Sequence, residues 1–169
     1  MQNFNTIGIS PALDLALGGG LREGSVVAMT GDPKTGKTTT SLYFAAKAQA
    51  AGKNVFYFNT EGRLTKENFT GIKGLNASKI KIIQATDSQP VDVRSGVIAQ
   101  LPRLLSMFFK RISNDVARTK SILIFVTHNI ANTGGSRWSP SKLADCGNML
   151  QYQAGTNMII THRGKWEET

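Results

Sequence analysis

The chain has 169 residues, 40% of them hydrophobic, which fits a single domain, 1–169, around one sizeable core. Lys and Arg number 20 against 11 Asp and Glu, so the formal charge of +9 favours a polyanionic partner such as nucleic acid, although an ordinary basic surface fits it equally well. The single cysteine, Cys146, excludes an intrachain disulfide and is typical of a reducing compartment. Because no basic leader and no run of about 18 apolar residues occur, we expect neither secretion nor a membrane span.

Strand and helix patterns alternate along the chain. Short apolar runs closed by polar turns predict strands, whereas Gly-free stretches that are rich in helix formers or have apolar residues at helical spacing predict helices. In chain order, these patterns predict a strand at 25–30, a helix at 37–51, strands at 54–59 and 79–85, a helix at 103–114, and strands at 121–127 and 157–161. Pro102 suits the first position of the second helix. The alternation predicts an α/β domain with a mainly parallel sheet.

A phosphate-binding motif lies between the first predicted strand and the first predicted helix. Residues 31–38 read Gly-Asp-Pro-Lys-Thr-Gly-Lys-Thr and match the P-loop pattern. Glycines let the backbone N–H groups turn towards phosphates, and the helix that starts near Lys37 points its positive end at them. Lys37 is expected to reach the β and γ phosphates, and Thr38 to ligate magnesium. We therefore predict that ATP and Mg²⁺ are bound by Gly31, Asp32, Pro33, Lys34, Thr35, Gly36, Lys37, Thr38 and Thr39.

Two polar residues follow predicted strands, at the sheet edge where open α/β folds place their sites. Glu61 stands shortly after the strand at 54–59, where it can orient and activate the attacking water. Its position alone fits an exposed carboxylate on a turn at least as well. His128 follows the strand at 121–127 and is placed to sense the γ-phosphate, although position alone favours a structural hydrogen-bonding residue.

Residues 130–143 are polar and rich in glycine, which predicts a long loop with a functional role. Arg137 stands beside Trp138, and Lys142 follows shortly after. A cation and an aromatic face on a loop suit single-stranded nucleic acid. The alternative is that Trp138 anchors the loop on its own domain or on a neighbouring subunit.

Over most of its length, the chain resembles the RecA family of DNA recombinases. Residues 7–21 are similar to the family's lead-in to the P-loop, residues 58–61 to the segment that ends in its catalytic glutamate, and residues 124–129 to the strand that ends in its nucleotide-sensing residue. The histidine in this segment, His128, is similar to that of the phage UvsX-like group. Residues 129–154 resemble the second DNA-binding loop and the strand region after it.

The resemblance implies a RecA-type P-loop domain with a mainly parallel central sheet flanked by helices. It implies a DNA-dependent ATPase whose subunits form a helical filament on single-stranded DNA and promote homologous pairing and strand exchange. Recombination mediator or single-strand-binding proteins are further expected partners, and the cytoplasm, the host's if the gene belongs to a phage, is the expected location. The implied roles are catalysis by Glu61 and Lys37, nucleotide sensing by His128, and DNA contact by Arg137, Trp138 and Lys142.

The chain departs from the family in two places. The family's strand with a magnesium-associated Asp and the first DNA-binding loop after it have no match. Only about 35 residues separate Ala85 from Ser121, and the predicted helix at 103–114 uses many of them. A further strand, crossover and loop would need about 30 more residues. We expect an internal deletion near 88–92, the alternative being a divergent homologue with a smaller sheet. Gln151 stands where bacterial RecA proteins have a Lys thought to reach the ATP of the adjacent subunit.

Other functions remain open from the sequence. A helicase-type or regulatory RecA-fold ATPase would share the P-loop and Glu61 but translocate on DNA or bind protein. A shortened core that binds nucleotide and DNA with little turnover would follow from the missing Asp.

Overall fold

A computed structural model describes residues 3–59, 64–84, 100–131, 142–144 and 148–162. The chain divides into two compact units: the first comprises residues 1–23 and 38–100, and the second residues 24–37 and 101–169. Within the described part of the chain, no helix is long and apolar enough to cross a membrane. The predicted junction near 88–92 lies outside the described residues.

Each predicted strand and helix is present, although its bounds differ in places, and further short strands and helices occur beside them. The strands are β1 (Thr6–Ile7), β2 (Leu21–Arg22), β3 (Ser25–Gly31), β4 (Val55–Asn59), β5 (Ile80–Gln84), β6 (Ile122–Ala131), β7 (Lys142–Ala144) and β8 (Thr156–Ile160). The helices are α1 (Pro11–Ala16), α2 (Lys37–Ala50), α3 (Gln100–Arg118) and α4 (Asn148–Gln153), with short 3₁₀ helices at Lys66–Phe69 and Ala77–Lys79.

The second unit contains a four-stranded sheet in the order β7-β6-β3-β8. β3 pairs in parallel with both β6 and β8, and it is buried from Val26 to its end. A strand that is covered on both faces needs a continuous apolar run, which Val-Val-Ala-Met supplies. The carboxyl ends of the three parallel strands meet at one edge, where Gly31 pairs with both His128 and Ile160. The predicted α/β class with a parallel sheet is confirmed.

α3 packs on this sheet through an aromatic and aliphatic core. Phe109 is 2% exposed, and its ring lies 5.2 Å from the ring of Phe125 on β6, measured between centroids. Ile112 packs against the same cluster one helical turn later, as the spacing of apolar residues on α3 predicts. The cluster consists of Val26, Ala28, Phe109 and Leu150, with Ile112, Leu123, Phe125 and Ala154 around it.

The first unit has its own core and its own small sheets. β4 pairs in parallel with β5, β1 pairs antiparallel with β2, and Leu42 and Ala46 on α2 pack with Ile72. Glu23 is 2% exposed and is paired with the ammonium of Lys53 at 2.5 Å. A buried carboxylate requires such a partner, so this ion pair holds the end of the β1–β2 segment.

Two predicted boundaries were wrong. α3 begins at Gln100, before Pro102, because proline is tolerated throughout the first helical turn, where backbone N–H groups have no intrahelical partner. β6 continues to Ala131, and residues 142–144 form β7, whereas the composition predicts a loop at 130–143. These residues pair antiparallel with each other, a long-range contact that local composition does not reveal.

Candidate nucleotide-binding site

The P-loop follows the carboxyl end of β3 directly. Gly31 is the last residue of β3, and α2 begins at Lys37. Two residues of the connecting turn have positive φ angles, Lys34 at 63° and Gly36 at 89°. These left-handed residues reverse the chain tightly, as a loop whose N–H groups surround an anion requires. Pro33, Lys34 and Gly36 are exposed, so the outer side of the loop faces solvent.

Gly31 leaves no space for a side chain. A Cβ at this position would overlap the carbonyl oxygen of Ile160 at the end of β8 and would lie 3.0 Å from Oγ1 of Thr35. The neighbouring parallel strand therefore presses directly against the first residue of the loop. This close packing explains, in this fold, why the motif begins with glycine.

The side chain of Lys37 is enclosed by its own loop. Lys37 is 3% exposed, and Nζ donates hydrogen bonds to the carbonyl oxygens of Gly31 at 2.9 Å and Asp32 at 2.6 Å. Oγ1 of Thr35 donates to the same Asp32 oxygen at 2.9 Å. A buried ammonium held by carbonyl oxygens is positioned to donate to phosphate oxygens as well, since it has three donors. The arrangement fits a phosphate-binding lysine.

His128 lies beside the P-loop but does not end its strand, contrary to the prediction. It is half-buried and is the last residue of β6 to pair with β3, opposite Gly31. One pair earlier, the hydroxyls of Thr30 and Thr127 are hydrogen-bonded at 3.1 Å. Polar side chains from β3 and β6 are thus concentrated at the edge where the loop begins.

Asn129 is a site residue that the sequence did not indicate. Its Nδ2 donates a hydrogen bond to Oδ1 of Asp32 at 3.2 Å. In the sequence, Asn129 is marked only by its position next to His128 at the end of the apolar strand. A polar residue at that position predicts the start of a loop. Only the pairing of β6 with β3 shows that it reaches the P-loop.

Of the remaining predicted site residues, three lie within the described part of the chain and three lie outside it. Thr38 and Thr39 lie in the first turn of α2, with Thr38 half-buried and Thr39 exposed, and the carbonyl oxygen of Thr38 accepts a bond from Ser41 Oγ at 2.8 Å. Lys142 is the first residue of β7 and pairs with Ala131. Glu61, Arg137 and Trp138 lie outside the described residues.

Thr38 is the candidate magnesium ligand of this site. The described ranges contain no group of three or more His, Cys, Asp or Glu side chains that could hold a metal ion. Magnesium at nucleotide sites is held largely by phosphate oxygens and water, with one or two protein ligands. The hydroxyl of Thr38, directly after Lys37, for which phosphate binding is predicted, fits that role.

Comparison with known proteins agrees with this geometry. The family model described as KaiC ATPase matches residues 6–73. The chain is 28% identical over 192 residues to the protein RecA of Pseudomonas fluorescens, covering 94% of this chain and 54% of that protein. It is 29% identical over 196 residues to the mitochondrial DNA repair protein recA homolog 3 of Arabidopsis thaliana, covering 94% and 45%. Over 71 residues it is 41% identical to the DNA repair and recombination protein RadB of Methanoculleus marisnigri, covering 42% and 31%.

The chain spans about half the length of the curated relatives it matches over most of its own length. Those two matches extend over 192 and 196 residues, more than the 169 residues of the whole chain. The relatives therefore carry residues inside the matched stretch that have no counterpart here. The P-loop lies between a parallel strand and a helix, and the similarities include the ATPase family model and the RecA and RadB proteins. Together they identify the fold as that of a RecA-type P-loop ATPase domain.

Proposed function

We propose that this chain is the ATPase core of a DNA recombinase of the phage UvsX-like group, which assembles as a filament on single-stranded DNA and promotes strand exchange. The observation that carries the proposal is the buried Lys37 in a P-loop at the end of β3, beside the strand β6 that leads into residues 132–141. The net charge of +9 suits a polyanionic partner. The site of action would be the cytoplasm, with recombination mediator or single-strand-binding proteins as partners.

Each chemical task has a residue in this proposal. The P-loop holds the nucleotide phosphates, with Lys37 as the cation at the β and γ positions and Thr38 as a magnesium ligand. Magnesium, when bound, neutralises charge on the phosphate oxygens. Glu61 positions and deprotonates the attacking water, and His128 senses the γ-phosphate. Because β6 passes from His128 into the segment with Arg137 and Trp138, the nucleotide sensor and the DNA contacts are close in sequence.

Glu61→Gln is expected to separate nucleotide binding from turnover. The amide keeps the size of the side chain but cannot accept the proton of the water, so the steady-state rate should fall at least about 100-fold while MgATP affinity changes less than about threefold. Turnover is measured by phosphate release in the presence of single-stranded DNA, and affinity by equilibrium titration. Glu67→Gln, at an exposed carboxylate in the 3₁₀ helix Lys66–Phe69, is the control. Equal turnover in the Glu61→Gln variant and the unaltered chain would remove Glu61 from catalysis.

Arg137→Ala and Trp138→Ala are each expected to weaken binding of an oligothymidylate about tenfold, since stacking of one base contributes roughly 1–3 kcal/mol. The affinity of the unaltered chain should decrease steeply as salt concentration rises, because bound phosphates release counterions. Fluorescence anisotropy measures both effects. Lys110→Ala removes an exposed cation from α3 and serves as the control for net charge. If all three variants bind DNA as tightly as the unaltered chain, the segment 132–141 is not the DNA-binding element.

A second candidate is a shortened core that binds nucleotide and DNA with little turnover. It is supported by matched relatives that run over more residues than this whole chain, as an internal deletion near 88–92 would produce. Such a core would lack the family's magnesium-associated Asp and would bind MgATP without appreciable hydrolysis. A helicase-type or regulatory ATPase, by contrast, would hydrolyse ATP without promoting strand exchange. Turnover and strand-exchange assays therefore distinguish the three functions.

A further inference from the structure

A single side chain attaches the end of β6 to the phosphate-binding loop. Nδ2 of Asn129 donates to Oδ1 of Asp32 at 3.2 Å, in partly buried surroundings. The two residues are 97 positions apart in the chain, so the parallel pairing of β3 with β6 creates the contact. It lies one residue beyond the last pair of that ladder, Gly31 with His128. The sheet thus fixes Asn129 against the second residue of the P-loop.

Asp32 is held on two sides. Its carbonyl oxygen accepts hydrogen bonds from Lys37 Nζ at 2.6 Å and Thr35 Oγ1 at 2.9 Å, while its carboxylate accepts from Asn129. Together with the Gly31 carbonyl, the Asp32 carbonyl therefore holds the Lys37 ammonium in place. A side chain that fixes Asp32 preorganises the loop, and a preorganised site binds more tightly because less conformational freedom is lost on binding.

The backbone of Asn129 belongs to a second ladder. Asn129 pairs with Ala144 of β7, and two residues later Ala131 pairs with Lys142. β7 follows the segment 132–141, to which Arg137 and Trp138 belong. A ligand on that segment that shifts β7 would act on Asn129 through the ladder, and on Asp32 through the amide.

We propose that Asn129 is a positioning residue of the nucleotide site: it orients Asp32, and with it the Lys37 ammonium, and it couples the P-loop to the β6–β7 pair. This inference rests on the proposed function, because it requires that the P-loop binds nucleotide. His128 is proposed to sense the nucleotide, whereas Asn129 connects β6 to the P-loop by a direct hydrogen bond. Asn129 touches neither the phosphates nor the reacting water in this assignment and acts through Asp32.

Exchanging donor and acceptor tests the hydrogen bond directly. Asn129→Ala removes the donor and Asn129→Asp places two carboxylates in contact, and each should weaken MgATP binding about tenfold. Asp32→Asn retains an acceptor oxygen and should weaken it only about threefold. The double variant with Asp32→Asn and Asn129→Asp again has one donor facing one acceptor. Its affinity should return to within about threefold of the unaltered chain, a recovery that two independent structural roles would not give.

Affinity is measured by titration with a fluorescent ATP analogue and magnesium, with and without an oligothymidylate, alongside thermal melts of every variant. Asn157→Ala is the matched control. Asn157 lies on β8, at the opposite edge of the sheet from β7, and its Nδ2 donates to the carbonyl oxygen of Gln151 at 3.1 Å. Loss of this hydrogen bond should not change the MgATP affinity. Coupling through Asn129 further predicts that the change in MgATP affinity caused by the oligothymidylate is reduced in Asn129→Ala.

The outcomes separate this inference from the proposed function. If the double variant binds as weakly as Asn129→Asp while Lys37→Ala lowers the affinity about 100-fold, the positioning role is overturned and the nucleotide site stands. If the response to oligothymidylate is the same in Asn129→Ala as in the unaltered chain, the coupling is overturned. If Lys37→Ala and the unaltered chain bind MgATP alike, the proposed function fails, and the positioning role fails with it.

Discussion

Lys37→Ala is expected to lower the affinity for MgATP about 100-fold, a loss of roughly 2.7 kcal/mol. Lys37 is 3% exposed and is held within its loop by the carbonyl oxygens of Gly31 and Asp32. The substitution removes the cation that would contact the phosphates, and it also leaves the carbonyl oxygens of Gly31 and Asp32 without this donor. Isothermal titration of MgATP against the purified chain measures the effect.

Lys47→Ala provides the matched control for this result. Lys47 lies on the same helix, α2, ten residues after Lys37, but it is exposed. Its removal lowers the net charge by the same amount and should leave affinity within about twofold. Equal affinities for Lys37→Ala and Lys47→Ala would show that nucleotide, if bound, is not bound by the P-loop.

Gly31→Ala is expected to destabilise the second unit by about 3 kcal/mol, which corresponds to a melting temperature lower by roughly 10 °C. The added methyl group would overlap the carbonyl oxygen of Ile160, so β8 must move away from β3 or the P-loop must change its path. Either change also displaces the Gly31 carbonyl that accepts from Lys37. Nucleotide affinity should therefore fall together with stability, which thermal melts and titration measure.

Gly155→Ala is the appropriate comparison, because it adds the same methyl group to the same unit. Gly155 precedes β8, and a Cβ there would lie 3.9 Å from the carbonyl oxygen of Val26, an ordinary contact. This variant should be as stable as the unaltered chain or slightly more stable, since alanine restricts the unfolded chain. If Gly31→Ala and Gly155→Ala both have the melting temperature of the unaltered chain, β8 does not approach the P-loop as closely as described.

The sequence indicated those parts of the site that local patterns encode. The P-loop, β3 and α2 were located within a residue, because the motif, the apolar run and the Gly-free stretch all lie within about 25 neighbouring positions and agree with one another. His128 was expected at the same sheet edge as the P-loop, and its pairing with Gly31 confirms this. Its role as a nucleotide sensor stays a prediction.

What the sequence missed depends on contacts between distant segments. β7 is three residues long and forms only because residues 129–131 lie beside it, so its composition resembled that of a loop. The sequence does not predict the role of Asn129 for the same reason, because none of its neighbours in the chain indicates a hydrogen bond to Asp32, 97 positions earlier. Residues 148–153, assigned by resemblance to the loop and strand region, form the helix α4, in which Gln151 is exposed.

The decisive measurement is steady-state ATP hydrolysis with magnesium, with and without single-stranded DNA. A DNA-dependent RecA-type ATPase is expected to show turnover that rises when DNA is added and that disappears in Lys37→Ala. Turnover that is independent of DNA, or that persists in Lys37→Ala, would contradict this assignment.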